Sequence, residues 1–331
     1  MAATSAPSAA PPPAATLRAG TIANAAYTFY VAAERGYFQE QGIDLQQEVF
    51  SGGNDMTASL ATGQLDVGQT AVQVSLLNAL LREVPVRAIF DTNHFGVGQP
   101  GYGVVARKEL WDSGAVRQLT DLVGRKVAIG GAAGGPGIDV ERGLQAHGYS
   151  LADLDLQIIR QPDIPVALAN GAVDGGIINE PGLSATVNRE VAVVLNYLSE
   201  FYPNHQLAVL ASGPSFAARP EVARRFAVGF LRAVRDWADA SQHGVGVEAM
   251  ARLLAANNGL SVELNTDLLQ RRALALMDPD GRVNKASIQY DAEWYVRNGL
   301  LERVPDVDRF VDPQYADYAV SQLGPYAPRR P

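Results

Sequence analysis

The sequence predicts an α/β protein of two lobes, and three observations lead there. Through most of the chain, short apolar runs of strand length alternate with helix-length amphipathic segments, joined by short loops. The 331 residues exceed what one compact core serves well. Two stretches rich in Gly, Pro and aromatic residues, at 95–103 and 201–205, interrupt the alternation and read as crossovers between lobes.

Residues 17–50 open the chain as a βαβ unit. A strand over 17–22 leads into the small and polar loop 23–26, then a helix over 27–41. After Gln41-Gly42 a second strand carries Ile43, Leu45 and Val49 at alternate positions or nearly so. The turn 51–55 offers Asn54 or Asp55 to cap a helix that runs to Thr62 and closes at Gly63. A strand starts at Leu65, a helix covers 72–82, and a strand over 86–90 ends at Asp91-Thr92-Asn93-His94. Beyond the first crossover the pattern restarts with a strand over 103–107, a helical segment up to Leu122 and a strand over 126–130. The glycine-rich loop 130–137 precedes a helix over 138–147. Strands at 156–160, 174–179 and 191–195, with a helix at 166–170, complete the second lobe.

The second crossover returns the chain through a strand at 206–210. From Pro220 the character becomes helical, with Val222, Phe226, Phe230, Val234 and Trp237 forming an apolar stripe. Further helices fit 247–256, 264–277, 285–297 and 313–323. The first lobe therefore comprises 17–100 and 206–331, and the second 101–205. Repeated βα units with short loops imply a mostly parallel sheet in each lobe, covered by helices on both faces.

Composition narrows the function. Hydrophobic residues make up 47% of the chain and charged residues 19%, as in ordinary soluble globular proteins. No apolar run approaches the ~20 residues of a membrane-spanning helix. A net charge of −8 opposes a nucleic-acid partner, which needs a basic surface. The pairs Arg224-Arg225 and Arg271-Arg272 read as solvated helix faces. Cysteine is absent, which excludes disulfides, thiolate catalysis and thiolate metal sites. Residues 1–16 contain Ala, Ser, Thr and Pro with no charged side chain, and read as a disordered linker without the features of a signal peptide. Such a tail suits an extracytoplasmic domain tethered by a lipid on a residue preceding, or replaced by, Met1. A cytosolic protein with a loose tail is the alternative.

Four segments fall in a telling order. They are Tyr30-Val-Ala-Ala-Glu-Arg-Gly-Tyr-Phe-Gln-Glu-Gln-Gly-Ile-Asp44, Leu60-Ala-Thr-Gly-Gln-Leu-Asp-Val-Gly68, Leu119-Thr-Asp-Leu-Val-Gly-Arg-Lys-Val-Ala-Ile129, and Ala167-Leu-Ala-Asn-Gly-Ala-Val-Asp174 followed by Asn179-Glu180-Pro181. Together they resemble the solute-binding proteins of ABC importers, in the group that handles nitrate, sulfonates, thiamine-precursor pyrimidines and riboflavin. The resemblance spans 17–235, while the helical C-terminus matches only in character. It implies a type II periplasmic-binding-protein fold, with two α/β lobes joined by two crossing strands and closing over a ligand. It also implies an ABC permease as partner, an extracytoplasmic location and a monomer.

Catalytic chemistry is poorly represented. There is no G-x-S-x-G elbow, and His94, His147, His205 and His243 are scattered without metal-ligand spacing. Asp278-Pro-Asp-Gly281 has the opening of a calcium loop without its downstream Glu, and reads as a turn. No catalytic residue, metal or cofactor is expected. Ligands in open α/β sheets lie beyond the carboxyl ends of strands. The loops there supply Asn24, Asn54, Asp55, Gln69, Thr70, Asp91, Asn93, Asn179 and Glu180, with Tyr27, Phe29 and Tyr102 close by and His94 at a strand end. Gly134 and Gly135 lie in a loop that reads equally as a nest of N–H donors or as a tight turn into a helix. In the resemblance that loop is the second lobe's contribution to the ligand. Tyr27 and Phe29 stay open between ligand contact and core packing, whereas Tyr30, Tyr37 and Phe38 read as core.

None of these loops contains Lys or Arg. A buried sulfonate or carboxylate would lack the bidentate Arg that offsets its lost hydration, a disadvantage of roughly a few kcal/mol. A neutral heteroaromatic ring fits better, with aromatic faces contributing ~0.5–1.5 kcal/mol each and amides and carboxylates meeting its edges. Within the group resembled, riboflavin or a thiamine-type pyrimidine satisfies this. A sulfonate- or taurine-binding protein is the alternative ligand reading. A pyrimidine-synthesising enzyme of the same fold, using a pyridoxal compound and iron, is the alternative from another class, and a receptor-coupled sensing domain is a third. The enzyme would need a Lys for the aldehyde and clustered His or Cys, which the strand-end loops do not supply.

Overall fold

The computed structural model describes residues 14–22, 26–50, 53–131 and 134–330, except the side chains of 53–55. Asn24, the side chains of Asn54 and Asp55, and most of the N-terminal linker therefore lie outside the described residues. The first lobe begins β1(Ala15–Thr21), α1(Tyr27–Glu34), α2(Tyr37–Glu40), β2(Ile43–Val49), α3(Gly53–Ala61), β3(Val67–Ala71), α4(Val74–Leu81) and β4(Arg87–Asn93). The chain then crosses to β5(Tyr102–Arg107), α5(Lys108–Asp112), β6(Lys126–Ile129), α6(Gly135–Gln145), β7(Asp155–Ile158), α7(Ile164–Ala169), β8(Gly175–Asn179), α8(Gly182–Asn188), β9(Ala192–Tyr197) and α9(Leu198–Phe201). It returns through β10(Ala208–Ser212) to α10(Pro214–Ala217), α11(Pro220–His243), α12(Val247–Asn258), α13(Val262–Gln270), α14(Lys285–Arg297), α15(Val307–Phe310) and α16(Gln314–Leu323).

Each lobe holds one five-stranded sheet, ordered β2-β1-β3-β10-β4 and β7-β6-β8-β5-β9. Four strands of each run parallel and one runs against them: β10 in the first sheet and β5 in the second. These are the strands that arrive from the other lobe. A chain entering from the cleft must run away from it, opposite to strands that end there. The cleft edge therefore gathers the ends of β3, β4, β6 and β8 with the starts of β5 and β10, as the pairs Tyr102–Asn179 and Ala208–Asn93 mark.

Helices cover both faces of each sheet. In the first lobe Phe29, Phe90, Phe226, Phe230 and Trp237 fill one face, and Met56, Leu60, Leu76 and Tyr295 the other. In the second, Val104, Leu122 and Ile177 fill one face, and Val105, Ile164 and Ile178 the other. Each large apolar side chain so buried contributes ~1.5–3 kcal/mol. The long helix α11 buries the stripe that contains Phe226, Phe230, Val234 and Trp237, and ends at Gly244 in the left-handed conformation.

Several elements depart from the periodicity. The helix expected over 27–41 is two helices, because Gly36 adopts φ 68° between them. The segment leading to Leu122 is the short α5 and a separate turn at 119–122. The helix expected over 264–277 stops at Gln270, and Arg272 turns the chain with φ 54°. Residues beyond it run extended, and Leu276 exchanges backbone hydrogen bonds with His94 at 3.1 and 2.9 Å. Apolar Leu274, Leu276 and Met277 mimic a helical stripe while packing as an extended wall.

The two crossings, 94–101 and 202–207, run side by side. Asn204 N–H donates to the Phe95 carbonyl at 2.7 Å, Leu207 N–H to the Asn93 carbonyl at 2.9 Å, and Ser199 Oγ to the Gln99 carbonyl at 2.8 Å. Gly101 has no room for a side chain, since a Cβ there would lie 1.8 Å from the Phe95 ring.

Candidate functional site

A cavity of about 500 Å³ opens between the lobes at the cleft edge of both sheets, within the usual range for small-molecule sites. Its aromatic lining is Tyr27, Phe95 and Tyr102. Asn93, Asn179, Gln161, Asn258 and Asn265 supply amides, and Glu180 supplies a carboxylate. Ala273, Leu274 and Ala275 from the extended wall close one side. No Lys or Arg is among the described lining residues.

Tyr27 begins α1 and lies flat on Trp237 of α11, with ring centroids 4.5 Å apart and planes 6° apart. Trp237 in turn donates from Nε1 to the Ala275 carbonyl at 2.9 Å, tying two parts of the cavity wall together. Tyr102 meets Phe95 edge-on at 5.8 Å. Burial pushes the Tyr102 hydroxyl up to about 12, with the nearby Asp139 carboxylate adding to it. Burial likewise raises Tyr27, so both phenols stay neutral and both can donate.

Asn93, Tyr102, Asn179, Tyr27 and Glu180 come together on the cavity wall. The buried Oδ1 of Asn93 has no hydrogen-bond partner among the described residues. Glu180 faces the cavity already engaged, accepting from Ser184 N–H at 3.0 Å and Ser184 Oγ at 2.6 Å. Arg271 stands 3.6 Å from the same carboxylate.

Other candidates go elsewhere. Phe29 is fully buried against Phe230 at 5.4 Å, on the opposite side of α1 from Tyr27, because two residues of helix turn by about 200°. Asp91 does not reach the cavity lining. Its two oxygens accept four hydrogen bonds, from Gln206 Nε2 (2.6 Å), Asn93 N–H (3.0 Å), His94 Nδ1 (2.6 Å) and Asp278 N–H (2.7 Å). It is a structural node where β4, the second crossing and the segment after α13 meet. Burial opposes a charge on His94, but Asp91 outweighs it and raises the imidazole's pKa. Gln69 and Thr70 are buried within β3, and their Oε1 and Oγ1 have no partner among the described residues. Gly134 caps α6, and Gly135 packs under the second crossing, where a Cβ would lie 2.4 Å from Leu207. Neither is among the described cavity-lining residues.

The helical C-terminal part supplies a share of the wall that pattern reading assigns to packing. Asn265 is wholly buried in α13, and its amide reaches Asn258 Oδ1 and the Ser261 carbonyl. An Asn on the inner face of a helix was its one visible signal. Trp237 and Arg271 carried none that separates them from core and surface.

Two α/β sheets, each with a returning antiparallel strand, two adjacent crossings and a cavity where the strands end, define a two-lobed periplasmic-binding-protein fold. Solved structures agree. The alkanesulfonate-binding protein SsuA from Xanthomonas axonopodis pv. citri bound to MOPS superposes with TM-score 0.69 at 17% identity, covering 91% of this chain and 99% of that one. The periplasmic nitrate-binding protein NrtA from Synechocystis PCC 6803 gives 0.72 at 16% identity, covering 94% and 89%. Identities this low speak to the fold alone. The chain belongs to the NMT1/THI5-like family, whose pattern matches residues 24–244. A 4-amino-5-hydroxymethyl-2-methylpyrimidine phosphate synthase from Aspergillus parasiticus is 28% identical over 151 residues, 45% of this chain and 40% of that protein's length.

Proposed function

We propose that this protein is the extracytoplasmic solute-binding component of an ABC importer, and that its cavity takes a neutral heteroaromatic vitamin or precursor, riboflavin or a thiamine-type pyrimidine. The observation that carries the reading is the lining itself, three aromatic rings with amides and one carboxylate and no described Lys or Arg. A flat ring stacks on such faces at ~0.5–1.5 kcal/mol each, while amide and carboxylate oxygens accept from its amino or hydroxyl groups. A buried sulfonate would meet the Glu180 carboxylate with no described Lys or Arg in the lining. Arg271, outside the lining and 3.6 Å from that carboxylate, is already paired with Asp267, which disfavours the anion-binding alternative. The pyrimidine phosphate synthases among the family's relatives lend weight to the pyrimidine over the flavin.

The activity of those relatives favours a second reading, an enzyme that makes the pyrimidine. Such an enzyme, using the pyridoxal compound and iron that the sequence resemblance implies, calls for a lysine and a cluster of metal-ligating side chains. The cavity lining holds no described Lys, and no group of three or more His, Asp or Glu among the described residues could hold a metal. These residues do not fit that chemistry. A thermal-shift panel separates the readings, because a ligand at a hundred times its Kd adds ~2.7 kcal/mol. Riboflavin or hydroxymethylpyrimidine should raise the midpoint, whereas a shift with taurine or an alkyl sulfonate alone would overturn the ligand choice. An aldimine absorbance band on adding pyridoxal phosphate would favour the enzyme.

A further inference from the structure

The seam between the lobes is built differently on its two sides. On one side His205, in the second crossing, is gripped by a carboxylate from each lobe. Its Nδ1 lies 2.6 Å from Asp139 Oδ1 of α6, and its Nε2 2.8 Å from Asp291 Oδ2 of α14. Side-chain exposure of the three is 3%, 5% and 0%, which leaves no room for water to replace these bonds. The Tyr202 ring stacks on His205 at 4.4 Å, and the Arg142 guanidinium of α6 lies over Tyr202 at 4.2 Å and over Tyr290 of α14 at 4.7 Å. Tyr102 of β5 and Tyr295 of α14 also face these carboxylates. With His205 protonated, two carboxylates meet two cations. Apolar packing follows the same line, since Ile138 of α6 is fully buried in a core cluster of the first lobe. Parting the lobes here would strand buried charges and open a core.

Among the described residues, the side-chain hydrogen bond across the other side comes from one exposed residue. Arg271, just past α13 in the first lobe, donates from Nη2 to Ser184 Oγ of the second lobe at 2.8 Å and approaches Glu180 at 3.6 Å. Its side chain is 39% exposed and also engages Asp267 of its own helix, so water and Asp267 can take over when the contact breaks. Glu180 lines the cavity, and Ala273 and Leu274 lie two and three residues beyond Arg271 on its wall.

We propose that Asp139–His205–Asp291 is the fixed pivot of the two lobes and that Arg271 with Ser184 is the releasable latch, so that the cavity opens at its Arg271 rim. The assignment rests on the cavity being the solute site, but its test needs no ligand. These 331 residues contain no cysteine, so label pairs can be introduced cleanly in this chain without ligand. Ala185→Cys in α8 with Ala256→Cys in α12 spans the latch side, and Ala146→Cys with Asn298→Cys spans the pivot side. Pulsed electron–electron resonance should give a longer or broader distance across the latch side in Arg271→Ala and in Ser184→Ala, with the pivot-side distance unchanged. An exposed contact of this type shifts the open-to-closed ratio by up to about fivefold. An unmoved latch-side distance in both variants, or a pivot-side distance that changes as much, would overturn the assignment. Because no ligand enters, a wrong ligand choice would leave these distances as expected.

Discussion

Tyr27 is where the ligand reading is most exposed to test. Its ring forms part of the cavity wall and is backed by Trp237 at 4.5 Å. Tyr27→Leu keeps apolar bulk on the first turn of α1 and removes the flat face. If a heteroaromatic ligand stacks there, the loss is one aromatic contact of ~0.5–1.5 kcal/mol, which is about a two- to thirteenfold rise in Kd. The stack on Trp237 disappears as well, so stability falls by a similar ~0.5–1.5 kcal/mol whether or not a ligand stacks. The two effects separate by calorimetric titration with riboflavin and hydroxymethylpyrimidine, paired with urea unfolding of the free protein. Trp237→Phe is the companion variant, since it retains a ring behind Tyr27 but loses the Nε1 bond to the Ala275 carbonyl. Lower stability in Tyr27→Leu with Kd held within twofold for the ligand that binds would refute ring stacking and leave Tyr27 as framing.

Asp91→Asn leaves two of the four donors at this node facing an amide N–H₂, at ~1–3 kcal/mol per unsatisfied buried donor, so denaturant unfolding should show a loss of ~2–6 kcal/mol. Gly101→Ala drives a methyl into the Phe95 ring and should cost ~1–3 kcal/mol by overpacking, with ligand binding weakened because Phe95 lines the cavity; unaltered binding would mean the ring yields without reshaping it. Burial works against a charge on His205, but Asp139 and Asp291 prevail and carry its pKa up to about 10. A folded-state pKa above the unfolded value of ~6.5 means stability fully present below that pH and lost as pH rises toward 10. His94 acts in the same direction. Urea titrations from pH 7 to 9 should show stability falling by about 1.4 kcal/mol per pH unit from the His205 proton, and His205→Gln should flatten that slope.

Local periodicity was enough to read alternating strands and helices, both crossovers and the apolar stripe of α11, because burial on one face imposes a period that neighbours in sequence must share. Helix 285–297 falls where Asn284 caps it and its apolar face demands. The cleft position of Tyr27, Asn93, Tyr102, Asn179 and Glu180 was legible for a related reason, since strand ends in such sheets lie at one edge. What the rest of the site does depends on contacts between distant parts of the chain. Asp91 looks like any acid at a strand end until Gln206 and Asp278, 115 and 187 residues away, take up its oxygens. Residues 271–277 have a helical stripe's composition, and only the pairing of Leu276 with His94 makes them a wall. Arg271, set aside as a solvated face, reaches the cleft by spanning 87 residues to Ser184. The absence of Lys and Arg from the cleft loops could be seen in the sequence; Arg271 at the rim, and the His205 grip opposite it, came only with the fold, because ion pairs across lobes leave no period.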